Sequence, residues 1–296
     1  MKAAARKPRL APRREAAIFR AIRRVDRECD RRARIGADPI GPVRSYERRE
    51  DLEIAGLVGA CLAFGNAKAL RAKVEDVFRR LGPNLAARAD DELAVFVALG
   101  GFRHRVYQGE DVARLVIGAR RVQRTFGSLE RCFAAALARH EDAVRPALAE
   151  FVAAIRSAGG LDVASGTRRG AAHILSDPAK ASGCKRLLLY LRWMVRPDDG
   201  VDLGVWKSLS PRILLIPVDT HLYKLGRNLG FTNRKTLTWQ TTEEITAALR
   251  RLDPDDPVRY DFPLCHLGML QRCPSRRDER RCEGCGMKSV CRHWNR

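Results

Sequence analysis

Apolar residues recur at helical spacing along almost the whole chain, and runs that alternate apolar with polar residues are nearly missing. A half-buried strand needs a period of two and an amphipathic helix one near 3.6, so this pattern confines the chain to an all-α fold. DLEIAGLVGACLAF, over 51–64, is apolar nearly all round and reads as a buried helix. Amphipathic helices are expected over 69–81, 90–99, 109–126, 128–140, 143–158 and 185–195. Others run from Asp219 to about Leu229, through TEEITAALRRL and within DPVRYDFPLCHLGMLQRC. A basic helix is expected in AAIFRAIRRVDRECDRRARI, before the turn signal ADPIGP. A length of 296 residues fits one large domain or two moderate ones. The expected division is a basic arm and helix over 1–43, a helical domain over 44–270 and a cysteine loop over 271–296.

Lys+Arg outnumber Asp+Glu by 56 to 35, a formal charge of +21. A field of that size favours a polyanionic partner, with nucleic acid first among them. No apolar run approaches the roughly 18 residues of a membrane span, so none is expected. The start MKAAARKPRLAPRRE is basic but lacks the apolar stretch of a signal peptide. The cytoplasm is the expected location, with a transit peptide as the alternative, since no acid precedes Glu15.

Nine cysteines in a cytosolic chain argue against a disulfide framework. Cys29, Cys61, Cys132, Cys184 and Cys265 are scattered and read as small core residues or surface thiols. The remaining four are spaced Cys273-x8-Cys282-x2-Cys285-x5-Cys291. Four thiolates this close in sequence can converge on one soft-metal centre, the C-x2-C pair biting from a tight turn flanked by Gly284 and Gly286. Zinc sites commonly pair two C-x2-C units and only one is present, which favours a [4Fe–4S] cluster over zinc, the alternative cofactor.

This ending resembles the cluster loop of the endonuclease III group of helix-hairpin-helix DNA glycosylases, which carries C-x6-C-x2-C-x5-C; RCEGCGMKSVC matches its second part. The first spacer is two residues longer here and holds Arg276, Arg277, Arg280 and Arg281. In the family the corresponding loop touches backbone phosphate, which makes these four the expected DNA contacts. Upstream, IPVDTHLYKLGRNLG resembles the segment bearing the catalytic aspartate of these enzymes, so Asp219 is by resemblance the essential carboxylate. A fixed carboxylate suits the positive charge that builds on the sugar as an N-glycosidic bond breaks. Asp is also favoured as a helix N-cap, and Asp219 can serve both ends.

Glycosylases that also cut the strand use a lysine amine, which forms a Schiff base with the sugar. The L-P-G-V-G-x-K hairpin of endonuclease III is missing, and the longer SGCKRLLLYLRWMVRPDDGVDLGVWKSLSPRILLIPVDTH stands in its place, a layout more like archaeal 8-oxoguanine glycosylases. Lys185, which opens the helix before that insert, is the candidate nucleophile, with Lys207 as rival or no catalytic lysine at all. Trp193 and Trp206 could stack on an extruded base, Asp202 could bond a base edge, and Asn66 falls where related enzymes place a wedge into the stack. His221 and His266 read as ordinary helix residues. The phrases YERREDLEIAGLVGACLAFGN, FRHRVYQGEDV, KRLLLYLRWMVRPDDGVDLGVWKS and YDFPLCHLGM look like a bacterial family carried as a conserved domain of unknown function. The superfamily resemblance implies an all-α, two-lobe helix-hairpin-helix glycosylase-like fold with an iron–sulfur loop. It further implies a monomer that flips a damaged base out of double-stranded DNA and removes it as glycosylase or AP lyase. A non-catalytic nucleic-acid-binding protein on the same scaffold is the competing expectation.

Overall fold

The computed structural model describes residues 10–36, 38–63, 65, 67–165, 168–180 and 182–295, and the fold is all-α. The strand content of the described residues is one small hairpin, in which Arg103–His104 pairs antiparallel with Tyr107–Gln108. Two residues per strand are too few to make an alternating pattern, and the turn rests on Arg105 in the left-handed region, φ 55°.

Helix ends fall where local chemistry puts them. Gly109–Phe126 starts on a capping box between Gln108 and Asp111 and stops at Gly127, φ 83°. Ser128 then caps Leu129–Arg139 by accepting from the Arg131 N–H. The basic N-terminal helix differs from expectation, because it splits into Pro12–Arg27 and Arg31–Ile35. The Asp26 carboxylate pairs with Arg31, and the Cys29 N–H turns back to the Asp26 carbonyl at 3.3 Å, closing a tighter turn than an α-helix allows. No helix among the described residues is long and apolar enough to cross a membrane.

The chain forms two compact units, each built from separate stretches of the sequence. One comprises Arg32–Lys180 and Leu189–Ile213. Its centre is Arg49–Leu62, buried at every position from Glu53 to Leu62. Phe133, Phe151, Tyr190 and Trp206 form a linked aromatic cluster beside it, with ring centroids 5.4–6.3 Å apart. The buried Glu53 carboxylate accepts from Trp206 Nε1, Gln123 Nε2 and the Leu129 N–H, so it stitches three segments. Gly109–Phe126 and Val144–Ala158 cross at bare backbone: a Cβ on Gly118 would lie 2.4 Å from the Ile155 carbonyl oxygen. Backbone cannot yield as a flexible side chain can. Gly118→Ala is therefore expected to destabilise the protein by about 1–3 kcal/mol, read as a lower urea midpoint at unchanged slope.

The other unit comprises Met1–Arg31, Ala181–Leu188 and Leu214–Arg296. Pro12–Arg27 buries Ile18, Ile22 and Val25 and packs on Asp261–Leu270. It also grips the C-terminal loop, with Arg24 donating to the Gly286 carbonyl at 2.7 Å and Arg14 to the Asn295 carbonyl at 3.0 Å. Thr220–Leu229 and Asp261–Leu270 lie side by side in this unit. The helix Lys185–Val195 begins here and continues into the first unit after Leu188.

Candidate functional site

Asp219 stands at the start of Thr220–Leu229 and caps it: Oδ1 accepts from the His221 N–H at 2.9 Å and the Leu222 N–H at 2.7 Å. The approach to it is pinned, since the Ile216 N–H bonds Thr246 Oγ1 at 3.0 Å and Ile216 and Val218 are fully buried. Asp219 as a residue is half-buried.

Oδ2 meets a partner that the sequence reading left without chemistry. Cys265 Sγ lies 3.4 Å from it as a donor, from the adjacent helix Asp261–Leu270. Burial, then the negative charges of Asp219 and Asp261, push the Cys265 thiol well above its usual range, while Lys185 pulls the other way. Lys185 thus acts on the same thiol as Asp219, although 34 residues separate the two in sequence. The lysine opens its helix directly after Cys184, which holds a left-handed φ of 50° and whose N–H bonds Ser182 Oγ at 3.1 Å. Asp219 and Cys265 are therefore in contact, and the charge of Lys185 is felt at the same thiol. Spacing alone offers no sign of Cys265, because its partners come from two other helices.

In the C-terminal loop, Asn228 Nδ2 donates to Cys273 Sγ at 3.5 Å. Burial raises the Cys285 and Cys291 thiols, and nearby backbone N–H groups draw them back down. Burial lifts the Cys273 thiol to about 11 against the pull of Asn228, and Cys291, Cys285 and Cys282 add to the rise. The four thiols therefore sense one another. A donor directed at sulfur, as Asn228 is at Cys273, suits a bound thiolate, whose proton a metal displaces, and an all-cysteine set suits an iron–sulfur cluster or zinc. Among the described residues no group of three or more His, Cys, Asp or Glu side chains is placed so as to hold a metal ion.

Arg276, Arg277, Arg280 and Arg281 are all exposed. Arg277 and Lys288 both stand over the Trp294 ring, 4.0 and 4.5 Å from its centroid, and Arg281 pairs with Asp278 at 3.4 Å. The tail of the chain so presents a ridge of cations beside the cysteines.

The expected base-contact residues are corrected. Trp193 and Trp206 are 0% and 1% exposed, so neither offers a face to a base. Trp206 belongs to the aromatic cluster, and Trp193 packs against Gly59. Asp202 is 0% exposed and is shared by the guanidinium groups of Arg192, at 3.0 Å, and Arg196. Its role is to neutralise buried arginines. Lys207 is exposed in that same unit, whereas Asp219 belongs to the other. Asn66 lies outside the described residues. His221 serves its helix through its N–H, and His266 lies against Phe262, the rings tilted by 43° with centroids 4.2 Å apart.

A family model described as a protein of unknown function, DUF2400, matches residues 38–270. The chain belongs to the DUF2400 family. The matched span of this DUF2400 chain contains Lys185, Asp219 and Cys265 and ends before the four-cysteine loop. No curated protein and no solved structure matches it.

Proposed function

We propose that this DUF2400 chain is a helix-hairpin-helix, endonuclease III-like DNA glycosylase with AP-lyase capability that removes a damaged base from double-stranded DNA. The observation that carries the reading is the contact of Asp219 with Cys265, a thiol that also feels the charge of Lys185, with Asp219 and Lys185 both only part-buried. With the base flipped out of the stack, the Lys185 amine bonds to C1′ as the C1′–N bond breaks. The electron pair leaves with the base, which takes up a proton. Asp219 stabilises the positive charge that develops on the sugar. Opening of the C1′–O4′ bond, with a proton to O4′, leaves an iminium between Lys185 and C1′. The exposed arginines of the first cysteine spacer hold backbone phosphate independently of sequence, so binding falls steeply with salt. A [4Fe–4S] cluster on Cys273, Cys282, Cys285 and Cys291 gives that loop its shape when bound, with zinc as the alternative.

Borohydride trapping on duplexes bearing single lesions tests the reading. A covalent adduct is expected with the unsubstituted protein, none with Lys185→Ala, and a loss of at least about a hundredfold with Asp219→Asn. Failure to trap or cut any lesion, with DNA binding intact, leaves the competing reading of a non-catalytic nucleic-acid-binding protein. The capping bonds to Asp219 and the burial of Trp193, Trp206 and Asp202 favour that alternative.

A further inference from the structure

We infer that Cys265 is a positioning residue for Asp219, its thiol holding the second carboxylate oxygen and so fixing the plane of the carboxylate; its catalytic consequence rests on the glycosylase reading. The two backbone N–H groups of the helix start engage only Oδ1. Bonds to one oxygen restrain the plane of the carboxylate less firmly than bonds to both. A donor on Oδ2 adds the second restraint, and Cys265 is placed to supply it at 3.4 Å. Burial and the neighbouring acids keep the thiol protonated, so it has a hydrogen to give. The other acceptor near the sulfur is Met269 Sδ, at 3.9 Å, a weak one.

The fold provides for this contact. Cys265 comes from the helix alongside, and the two helices approach closely because residue 268 is glycine: a Cβ there would lie 3.1 Å from His221 Cβ. A larger residue at 268 would push Cys265 away from Asp219. The charged and titratable groups facing the pair are Asp261 on the cysteine's own helix, Lys185 and Asp219 from elsewhere, with His221 next along the capped helix. Of these, Lys185 draws the thiol toward ionisation and the two aspartates oppose it.

Cys265→Val keeps the volume and removes the donor; Cys265→Ser keeps a donor; Cys265→Ala replaces the valine variant if that one does not fold. The first readout needs no activity. In protein labelled at aspartate carboxyl carbons, the Asp219 resonance, identified through Asp219→Asn, is followed with pH. A carboxylate that loses a donor holds its charge less readily, so its titration moves to higher pH in Cys265→Val and returns in Cys265→Ser. An identical titration in all three proteins overturns the inference. The second readout is borohydride trapping across pH. Cys265→Val is expected to trap about tenfold less, the scale of one lost hydrogen bond to a charged group, with its acid limb displaced upward and with recovery in Cys265→Ser. Trapping by Cys265→Val equal to that of the unsubstituted protein at every pH also overturns it. If the unsubstituted protein traps nothing, the glycosylase reading falls, and the carboxyl titration still decides whether Cys265 holds Asp219.

Discussion

Asp202→Ala is expected to cost about 3–5 kcal/mol of folding stability, among the largest effects of any single substitution outside the proposed site. Asp202 is 0% exposed, and the two guanidiniums that share it, Arg192 and Arg196, are 3% and 6% exposed. Removing the acid strands positive charge where water cannot solvate it. Arg196 retains Asp199 at 3.1 Å, whereas Arg192 loses the carboxylate that meets it at 3.0 Å. The loss should therefore be recovered in large part by Asp202→Ala combined with Arg192→Met, since an apolar side chain has no charge to leave unpaired. Urea unfolding of the single and double variants measures this. A single variant as stable as the parent would mean that water reaches the site and the pair contributes little.

Loss of one loop cysteine should act at a distance. On the proposed cluster, Cys282→Ala purified without oxygen is expected to be colourless where the parent is brown. Its thermal midpoint should fall by about 10 °C, the scale of losing about 4 kcal/mol in a chain of this size. The fall should extend to the Asp219 region because the loop is seated on two helix ends. Asn228, near the end of the helix that Asp219 caps, binds Cys273 through its side chain and the Arg292 N–H through its carbonyl at 2.8 Å. The Cys273 N–H bonds the Gly268 carbonyl at 3.0 Å, at the end of the helix that carries Cys265. Faster hydrogen exchange at His221 and Leu222, whose N–H groups bond Asp219, would register the coupling. Colourless parent protein holding one zinc would assign the loop to zinc, and metal-free parent protein with the same midpoint as Cys282→Ala would remove the cluster altogether.

The helices were legible in the sequence because their signals are local. The apolar run after Asp51, the Ser128 cap and Gly127 after Phe126 each act within one turn of the chain, and the helices Gly109–Phe126 and Lys185–Val195 fall on the residues the pattern marks. The all-α class and the N-cap at Asp219 follow from the same short-range rules. Spacing likewise singled out the four C-terminal cysteines as a group, because their separation is small enough for one loop.

What lies across the chain was decided by tertiary structure alone. Trp193, Trp206 and Asp202 carry chemistry that suits a base pocket, and their residue types are the same in a pocket and in a core. Only packing shows that Trp206 is walled in by Phe133, Phe151 and Tyr190 and that Asp202 belongs to two arginines. Nor does sequence order reveal that the N-terminal helix and the cysteine loop share a unit, since Arg14 and Asn295 meet from near opposite ends of the chain. Cys265 is the sharpest case: one more scattered thiol in the sequence, it gains a role because two helices cross closely at Gly268 and bring its sulfur to Asp219. Periodicity and capping are written in neighbouring residues, whereas a site assembled from three helices exists only once their faces have packed.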